Sequence, residues 1–116
     1  MTEEWLYLYR AEVQRVVDGD TLVLKFDLGF DVSTLQKCRL DHINAPEHGL
    51  PEGKAAQTFL EGLLPVGAPV LVKTRKDKRE KYGRMLATVV LADGSMVNDL
   101  MVEKGHAKFY DGRGPR

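Results

Sequence analysis

Cysteine and histidine are scarce in this sequence, and the scarcity excludes several classes of protein. The one cysteine in 116 residues, Cys38, cannot form an internal disulfide, so the fold needs no oxidising compartment. His42, His48 and His106 stand at no zinc spacing, and one cysteine cannot complete a structural zinc site. His48 reads as an exposed loop residue. No apolar run is long enough to span a bilayer, and the opening "MTEEWLYLYRA" carries two acids and lacks the character of a signal peptide. The expectation is a cytoplasmic chain with no membrane partner. Net charge is absent too, with 17 basic against 17 acidic residues. No Ser-His-Asp arrangement, glycine-rich phosphate loop, repeat or low-complexity segment is legible.

What is present is unevenly placed. Residues 73–84, "KTRKDKREKYGR", hold seven cationic side chains against Asp77 and Glu80. A charge run of this kind is ordinarily a solvated loop. Here it ends in Tyr82-Gly83-Arg84, which adds an aromatic face, a turn and a guanidinium, a combination that suits a phosphate-lined partner. The first 31 residues lean the other way, with seven acids and three bases, so two faces of opposite potential are expected.

The patterning is mainly β. "LYLYRAEVQRVV" alternates and stops at the turn signal "DGD", and "TLVLKFDL" resumes as a strand. "GFDVST" reads as a hairpin loop or a continuation kinked at Gly29. "LQKCRLDHI" is a third strand with Leu35, Lys37, Arg39 and Asp41 on one face; its apolar residues do not sort cleanly, which implies burial on both sides, as in a closed barrel. "KAAQTFLEGLL" follows as a helix with Ala55, Phe59 and Leu63 at helical spacing, closed by Pro65 and Gly67. "APVLVKTR" and "GRMLATVVLAD" are two further strands flanking the basic run. "GSMVNDLMVEKG" is a second helix with Ser95 as N-cap, Val97, Leu100 and Met101 inward, and Gly105 as its stop. Residues 109–116 read as an extended tail of a single domain, in which Phe109 and Tyr110 either stack on a ligand or cap the core. Five strands, with one helix after the third and another after the fifth, fit an α+β chain built on a small barrel of the OB type. An open α+β sandwich is the competing architecture.

The segment "RLDHINAPE" (residues 39–47) carries an arginine, an amide and a carboxylate within nine residues at the end of a strand. Phosphodiester hydrolysis asks for such a set: charge stabilisation on the phosphate, a positioned water and, in most cases, a divalent metal. Taken singly, each group has a plainer reading. Asp18-Gly19-Asp20 is a common turn, and a lone arginine most often pairs with a surface acid.

Four stretches change the weighing. "VVDGDT", "RLDHINAPE", "EGKAAQTFLEGLL" and "KYGRMLATVVLADGSMVNDLMVEKGHAK" occur in the order and character of the staphylococcal nuclease-like (thermonuclease) family, which the chain resembles from about Val13 to Lys108. The resemblance implies an OB-fold barrel and a calcium-dependent phosphodiesterase that cuts DNA and RNA to 3′-phosphates with little sequence specificity. It places a metal ligand at Asp20, further ligands at Asn44 and the carbonyl of Ala45, phosphate-gripping guanidiniums at Arg39 and Arg84, and a water-positioning carboxylate at Glu47. Lys81 and Tyr82 would line the nucleotide, and Lys76, Lys78 and Arg79 would hold substrate by charge. A monomer is expected.

Two departures stand out. Asn44 occupies a position where the best-known member has an aspartate, a variation of the kind found in leaderless bacterial and phage-type relatives. An amide oxygen coordinates calcium without bringing charge, so metal affinity should fall. The chain also stops before the family's C-terminal helix, and its loop between "DGDT" and "RL" is longer. Two other classes compete: an OB-fold nucleic-acid-binding module whose catalysis has decayed, and a structural or protein-interaction domain. Decayed members typically lose the arginine and glutamate set that this chain keeps, and the basic run argues against the third class.

Overall fold

The computed structural model describes residues 6–47, 49–76 and 85–110. Five strands close a barrel: β1 (Leu8–Asp18), β2 (Thr21–Asp27), β3 (Ser33–Leu40), β5 (Pro69–Lys76) and β6 (Met85–Val90), in the order β1-β2-β3-β6-β5 with β5 returning to β1. All pairs are antiparallel except β3 with β6, which runs parallel through Cys38↔Met85, Arg39↔Leu86 and Leu40↔Ala87. Two short strands, β4 (Ile43–Asn44) and β7 (Lys108–Phe109), make a separate antiparallel pair. The helices are α1 (Pro51–Leu63), after the third barrel strand, and α2 (Val97–Glu103), after the fifth. The barrel with two helices is the architecture expected of an OB-type chain; the open sandwich is excluded by the closure of β1 on β5.

Closure depends on β1. This 11-residue strand serves both β2 and β5, and its ladder to β2 slips between Val13 and Arg15 and again between Val16 and Asp18. Each slip is a bulge that adds local twist, which an eight-to-eleven-residue strand needs in order to curl around so small a barrel. The interior is filled by fully buried Val13, Leu22, Leu24, Cys38, Leu40, Val72 and Val89. The ends are covered by Ala56, Leu60 and Leu64 from the α1 segment and by Val97 and Met101 from α2. Burial of each such aliphatic side chain contributes roughly 1.5–3 kcal/mol.

Several local expectations need correction. The third strand is buried on one face only: Cys38 and Leu40 point inward, while Leu35 is 60% exposed and Lys37 is exposed. The untidy apolar pattern arises because Leu35 lies opposite Lys25 on the outer, solvent-facing side of the ladder, while the inner side is filled from β2 by Leu24 and Phe26. That strand also ends at Leu40 rather than running to Ile43. His42, at φ +65°, turns the chain through the left-handed region and restarts it as β4. Helix α1 begins at Pro51, three residues earlier than its periodicity suggests, and buries Gly53, Ala56 and Leu60; Ala55 is exposed, and Phe59 and Leu63 flank the core partly buried. Ser95 does not cap α2. Its N–H is taken by Asp93 Oδ1 at 2.8 Å, and the cap position is Met96, bridged to Val90. Leu100 is only half-buried, whereas Asn98 is buried. Gly105, at φ +79°, ends α2 as expected. Residues 108–109 form β7 instead of part of a tail, and Phe109, 71% exposed, stacks beside His42 and caps no core.

Asn98 ties these pieces together. Its Nδ2 donates to the carbonyls of Asp41 and Ala87, both at 2.9 Å, and its Oδ1 accepts from Val89 N–H at 3.0 Å. Substituting Asn98→Ala removes three hydrogen bonds and leaves the Val89 N–H and the Asp41 carbonyl without this partner, while the Ala87 carbonyl keeps the bond from Asp41 N–H, so a loss of about 2 kcal/mol is expected in denaturant unfolding.

Burial pushes the Cys38 thiol up to about 11. The folded protein should therefore react with a thiol reagent near pH 8 only as fast as it unfolds, and at the free-cysteine rate once denatured. Prompt labelling of the native protein would contradict the packing described.

Candidate active site

Register builds the site. Thr21 lies directly opposite Arg39 at the mouth of the β2–β3 ladder, and Leu40 N–H continues that ladder by donating to the Asp20 carbonyl at 2.8 Å. Asp20, at the tip of the β1–β2 turn, is thereby set beside the Arg39 side chain. The turn itself is fixed by Asp18 Oδ1, which accepts from Asp20 N–H at 3.1 Å. Gly19 leaves room for this approach: a Cβ there would lie 2.8 Å from Ala56 Cβ and 3.0 Å from Ala45 Cβ.

The reversal at His42 returns the chain so that Asn44 and Ala45 reach the same spot. Arg39 Nη2 donates to Asp20 Oδ2 at 3.2 Å and to Asn44 Oδ1 at 2.8 Å, while Ala45 N–H donates to Asp20 Oδ2 at 3.0 Å. Thr21 Oγ1 donates to Asp20 Oδ1 at 3.1 Å. Asp20 is thus a nearly buried carboxylate with three donors, and its side chain is only 9% exposed against 18% for Arg39. Arg39 Nε is buried and has no hydrogen-bond partner among the described residues. An unpartnered guanidinium donor beside a buried carboxylate is costly unless something else occupies it.

Burial, helped by the neighbouring Asp18, raises the Asp20 carboxyl above the ordinary aspartate range against the lowering effect of Ala45 N–H and Arg39. Burial also acts to raise Asp18, but its hydrogen bonds with Asp20 and Thr21 and the Arg39 charge outweigh it, and the net direction is down. Two carboxylates this close divide the proton, so Asp20 is the member that holds it at the higher pH.

Asp20, Arg39, Asn44 and Ala45 are therefore drawn into one cluster. Glu47 lies two residues beyond Ala45 on the exposed segment that leads into α1; its carbonyl accepts from Leu50 N–H at 3.3 Å. Gly53 lets that segment sit against the helix, since a Cβ at this position would run into the Glu47 carbonyl. Lys76 ends β5, exposed, paired with Met85 across the root of the basic segment. Arg84, Lys78, Arg79, Lys81, Tyr82 and His48 lie outside the described residues.

Among the described residues no group of three His, Cys, Asp or Glu side chains is placed to hold a metal ion. A hard cation accepts other oxygens as well. Asp20 Oδ2 and Asn44 Oδ1 converge on a single Arg39 nitrogen, and the backbone of Ala45 adjoins them. An ion of the calcium class would need Arg39 to give up both oxygens and the Ala45 backbone, which now presents its N–H, to offer its carbonyl instead.

One element escaped the sequence reading. Asp41, expected on the same strand face as Arg39, turns inward and is 4% exposed; it takes Arg75 Nε at 2.6 Å and Nη2 at 2.8 Å, with His42 Nε2 at 3.7 Å. Arg75, counted above within the basic run, is thereby a structural cation. The signal was present in the break between "RL" and "IN", which shifts Asp41 out of the strand.

The family model for staphylococcal nuclease homologues matches residues 37–116. The chain belongs to the staphylococcal nuclease family. Among its relatives, endonuclease YhcR of Bacillus subtilis is 34% identical over 113 residues, covering 88% of this chain but 9% of its own length. An uncharacterized endonuclease of Escherichia coli O157:H7 is 34% identical over 101 residues, with 87% of this chain and 61% of its own length covered. The thermonuclease of Staphylococcus intermedius is 36% identical over 106 residues, with 84% and 59% covered. The chain thus spans about three-fifths of the length of the latter two. No helix among the described residues is long and apolar enough to cross a membrane.

Gly53→Ala should separate the Glu47 segment from α1. We expect a stability loss of about 1–3 kcal/mol from the forced backbone shift, with any nucleic-acid cleavage falling by more than the unfolded fraction explains. Unfolding curves and rates measured on the same preparation check this.

Proposed function

We propose that the protein is a metal-dependent endonuclease that hydrolyses the phosphodiester backbone of DNA and RNA, leaves 3′-phosphates and requires calcium. The observation that carries this reading is the partly buried Arg39 guanidinium, bridged to Asp20 and Asn44 while its Nε–H lacks a partner among the described residues. A phosphate oxygen is the natural acceptor for such a donor, because guanidinium and phosphate match in charge and in planar paired geometry. Relatives named as endonucleases and a thermonuclease support the assignment.

Each group has a role in that chemistry. Arg39 and Arg84 grip the scissile phosphate and stabilise the charge that builds on it in the transition state. Glu47 orients and deprotonates the attacking water, and its exposure leaves it open to solvent. Asp20, Asn44 and the Ala45 carbonyl would hold the ion. Bound there, a divalent cation supplies Lewis-acid polarisation of the phosphate. Lys81 and Tyr82 line the nucleotide, and Lys76, Lys78 and Arg79 hold substrate by charge. Since these contacts favour backbone over base edges, sequence specificity should be low. We expect the protein to act as a monomer.

Cleavage of single-stranded DNA, duplex DNA and RNA in calcium, in magnesium and in chelator tests the reading. The expected result is cutting in calcium, preference for single strands, and 3′-phosphate ends. Products ending in 5′-phosphate would refute the mechanism. Binding without cutting in every metal would assign a nucleic-acid-binding barrel instead. Arg39→Ala and Glu47→Gln should each lower turnover by orders of magnitude with the fold intact, as removal of one charge-stabilising donor typically costs about 3–4 kcal/mol.

Asn44 makes metal binding weak, since Asp20 is the one anionic side chain among the proposed ligands. Asn44→Asp should tighten calcium binding in the absence of substrate by about tenfold or more, on a scale of ~1.4 kcal/mol per decade, and Asp20→Asn should abolish it. Because a ligand must be ionised and the Asp20 carboxyl is raised, affinity should weaken on acidification from above the ordinary aspartate range. Calorimetry at several pH values reads both effects.

A further inference from the structure

The turn between β2 and β3 presents apolar side chains to water and is strained in doing so. Leu28 and Val32 flank it, both exposed, and Phe30 at its tip is 99% exposed. Gly29, Phe30 and Asp31 all stand in the left-handed region, at φ +80°, +56° and +61°. Glycine and aspartate enter that region readily, but a bulky aromatic residue there is an outlier. The turn is held nonetheless. Gly29 N–H donates to Asp27 Oδ1 at 2.8 Å, Leu28 N–H to the Val32 carbonyl at 2.9 Å, and Val32 N–H to the Gly29 carbonyl at 2.9 Å. The fold gains nothing from a phenyl ring in water on strained backbone, and an outlier of this kind points to a role outside the fold. Asp27 and Asp31 make the turn anionic, with no cation from Phe26 to Thr34, so it repels phosphate. Its natural partner is a protein surface that is apolar and cationic at its rim.

The same chain carries a surface of that chemistry. A cleft of about 440 Å³ lies beside the turn, walled by Asp31 and Val32 on one side and by Arg10, Gly67 and Pro69 on the other. A second cleft, of about 350 Å³, shares Arg10, Ala11 and Pro69 with the first and continues across β1 to Leu71 and Val90. Register sets Leu71, which is exposed, between Arg10 on β1 and Val90 on β6. No carboxylate lines this second cleft among the described residues. Arg10 is exposed and takes part in no ion pair or side-chain hydrogen bond among the described residues, although it lies opposite Asp27. The second cleft is therefore apolar with one uncommitted cation at its mouth. Because the turn stands beside its own matching groove, a two-fold rotation seats both turns at once, a self-complementary contact.

We propose that the partner is a second copy of this chain: Phe30 of each copy enters the apolar cleft over Leu71 and Val90 of the other, and Asp31 of each meets the other's Arg10. Asp27↔Ser33 closes one end of the β2–β3 ladder and Thr21↔Arg39 the other, so the contact lies away from Arg39. Each copy keeps its site free and acts singly within the pair. Association is read without cleavage and stands or falls apart from the nuclease reading. One aromatic anchor and one ion pair on each side make a weak contact, with a dissociation constant on the order of 0.1 mM. Sedimentation equilibrium of the full chain from about 10 µM to about 1 mM spans that value. The expected mass rises from 13.0 kDa toward twice that and no further. Phe30→Gly should weaken association by about tenfold or more, as loss of an aromatic anchor does. It should also raise the unfolding midpoint, because glycine adopts the left-handed conformation without strain. Arg10→Glu and Asp31→Lys should each weaken association, and the two together should recover much of it by reversing the charge pair. A parent that stays at one copy up to about 1 mM would overturn the pairing, and so would a mass that climbs past two copies. Equal association of Phe30→Gly and parent would overturn it as well, as would a double reversal that associates no better than either single variant.

Discussion

The parallel seam between β3 and β6 is the constraint on which the rest of this molecule hangs. It is three residues long, Cys38 to Leu40 against Met85 to Ala87, yet it turns an open meander into a barrel. Asp41 N–H extends it by donating to the Ala87 carbonyl at 2.9 Å, and the Asn98 amide clasps both sides. Parallel pairs need a long connection, here the whole stretch from β4 through α1 and β5. The seam also sets where chemistry can occur. Arg39 is its middle residue, the β1–β2 turn abuts its end, and both roots of the basic segment emerge beside it.

Charge follows from that arrangement. A carboxylate as buried as Asp20 requires compensation, and the seam delivers it by presenting Arg39 at 3.2 Å and the Ala45 N–H at 3.0 Å. A second buried carboxylate, Asp41, is compensated in the same way from the opposite strand by Arg75. The two ion pairs sit on successive sides of β3's end and differ in kind. Arg75 meets Asp41 with two nitrogens, one to each carboxylate oxygen, whereas Arg39 splits one nitrogen between two oxygens and keeps a donor in reserve. The first geometry suits a structural lock and the second a group that changes partners.

The sequence disclosed the barrel because five alternating runs and two periodic runs survive in it, each bounded by turn chemistry such as "DGD" and Gly105. It disclosed the meeting of Asp20, Arg39 and Asn44 through motif order, not through any local propensity. What stayed hidden shares one cause: tertiary contacts that override the local pattern. Asp41 alternates in phase with Arg39, but the left-handed residue His42 breaks the strand and sends it inward. Ser95 has the chemistry of a helix cap, yet the bridge between Val90 and Met96 sets the helix start one residue later. Leu35 looks like core, yet register sets it opposite Lys25 on the outer face of the ladder. The early start of α1 was obscured by Gly53, whose helix-breaking character is outweighed by the close approach it allows to the Glu47 carbonyl.

The bridge from Arg39 to Asp20 and Asn44 has a consequence for the lineage as well as the molecule. A site whose buried anion is neutralised by a side chain of its own chain does not depend on a captured ion to become foldable. On the proposed reading, folding and ion binding are thereby separable, and a descendant that bound no ion would keep its shape. On the same reading, such a barrel is free to drift toward holding nucleic acid without cutting it, because the seam is made by the backbone of Arg39 and its neighbours and not by the side chains that would have to change.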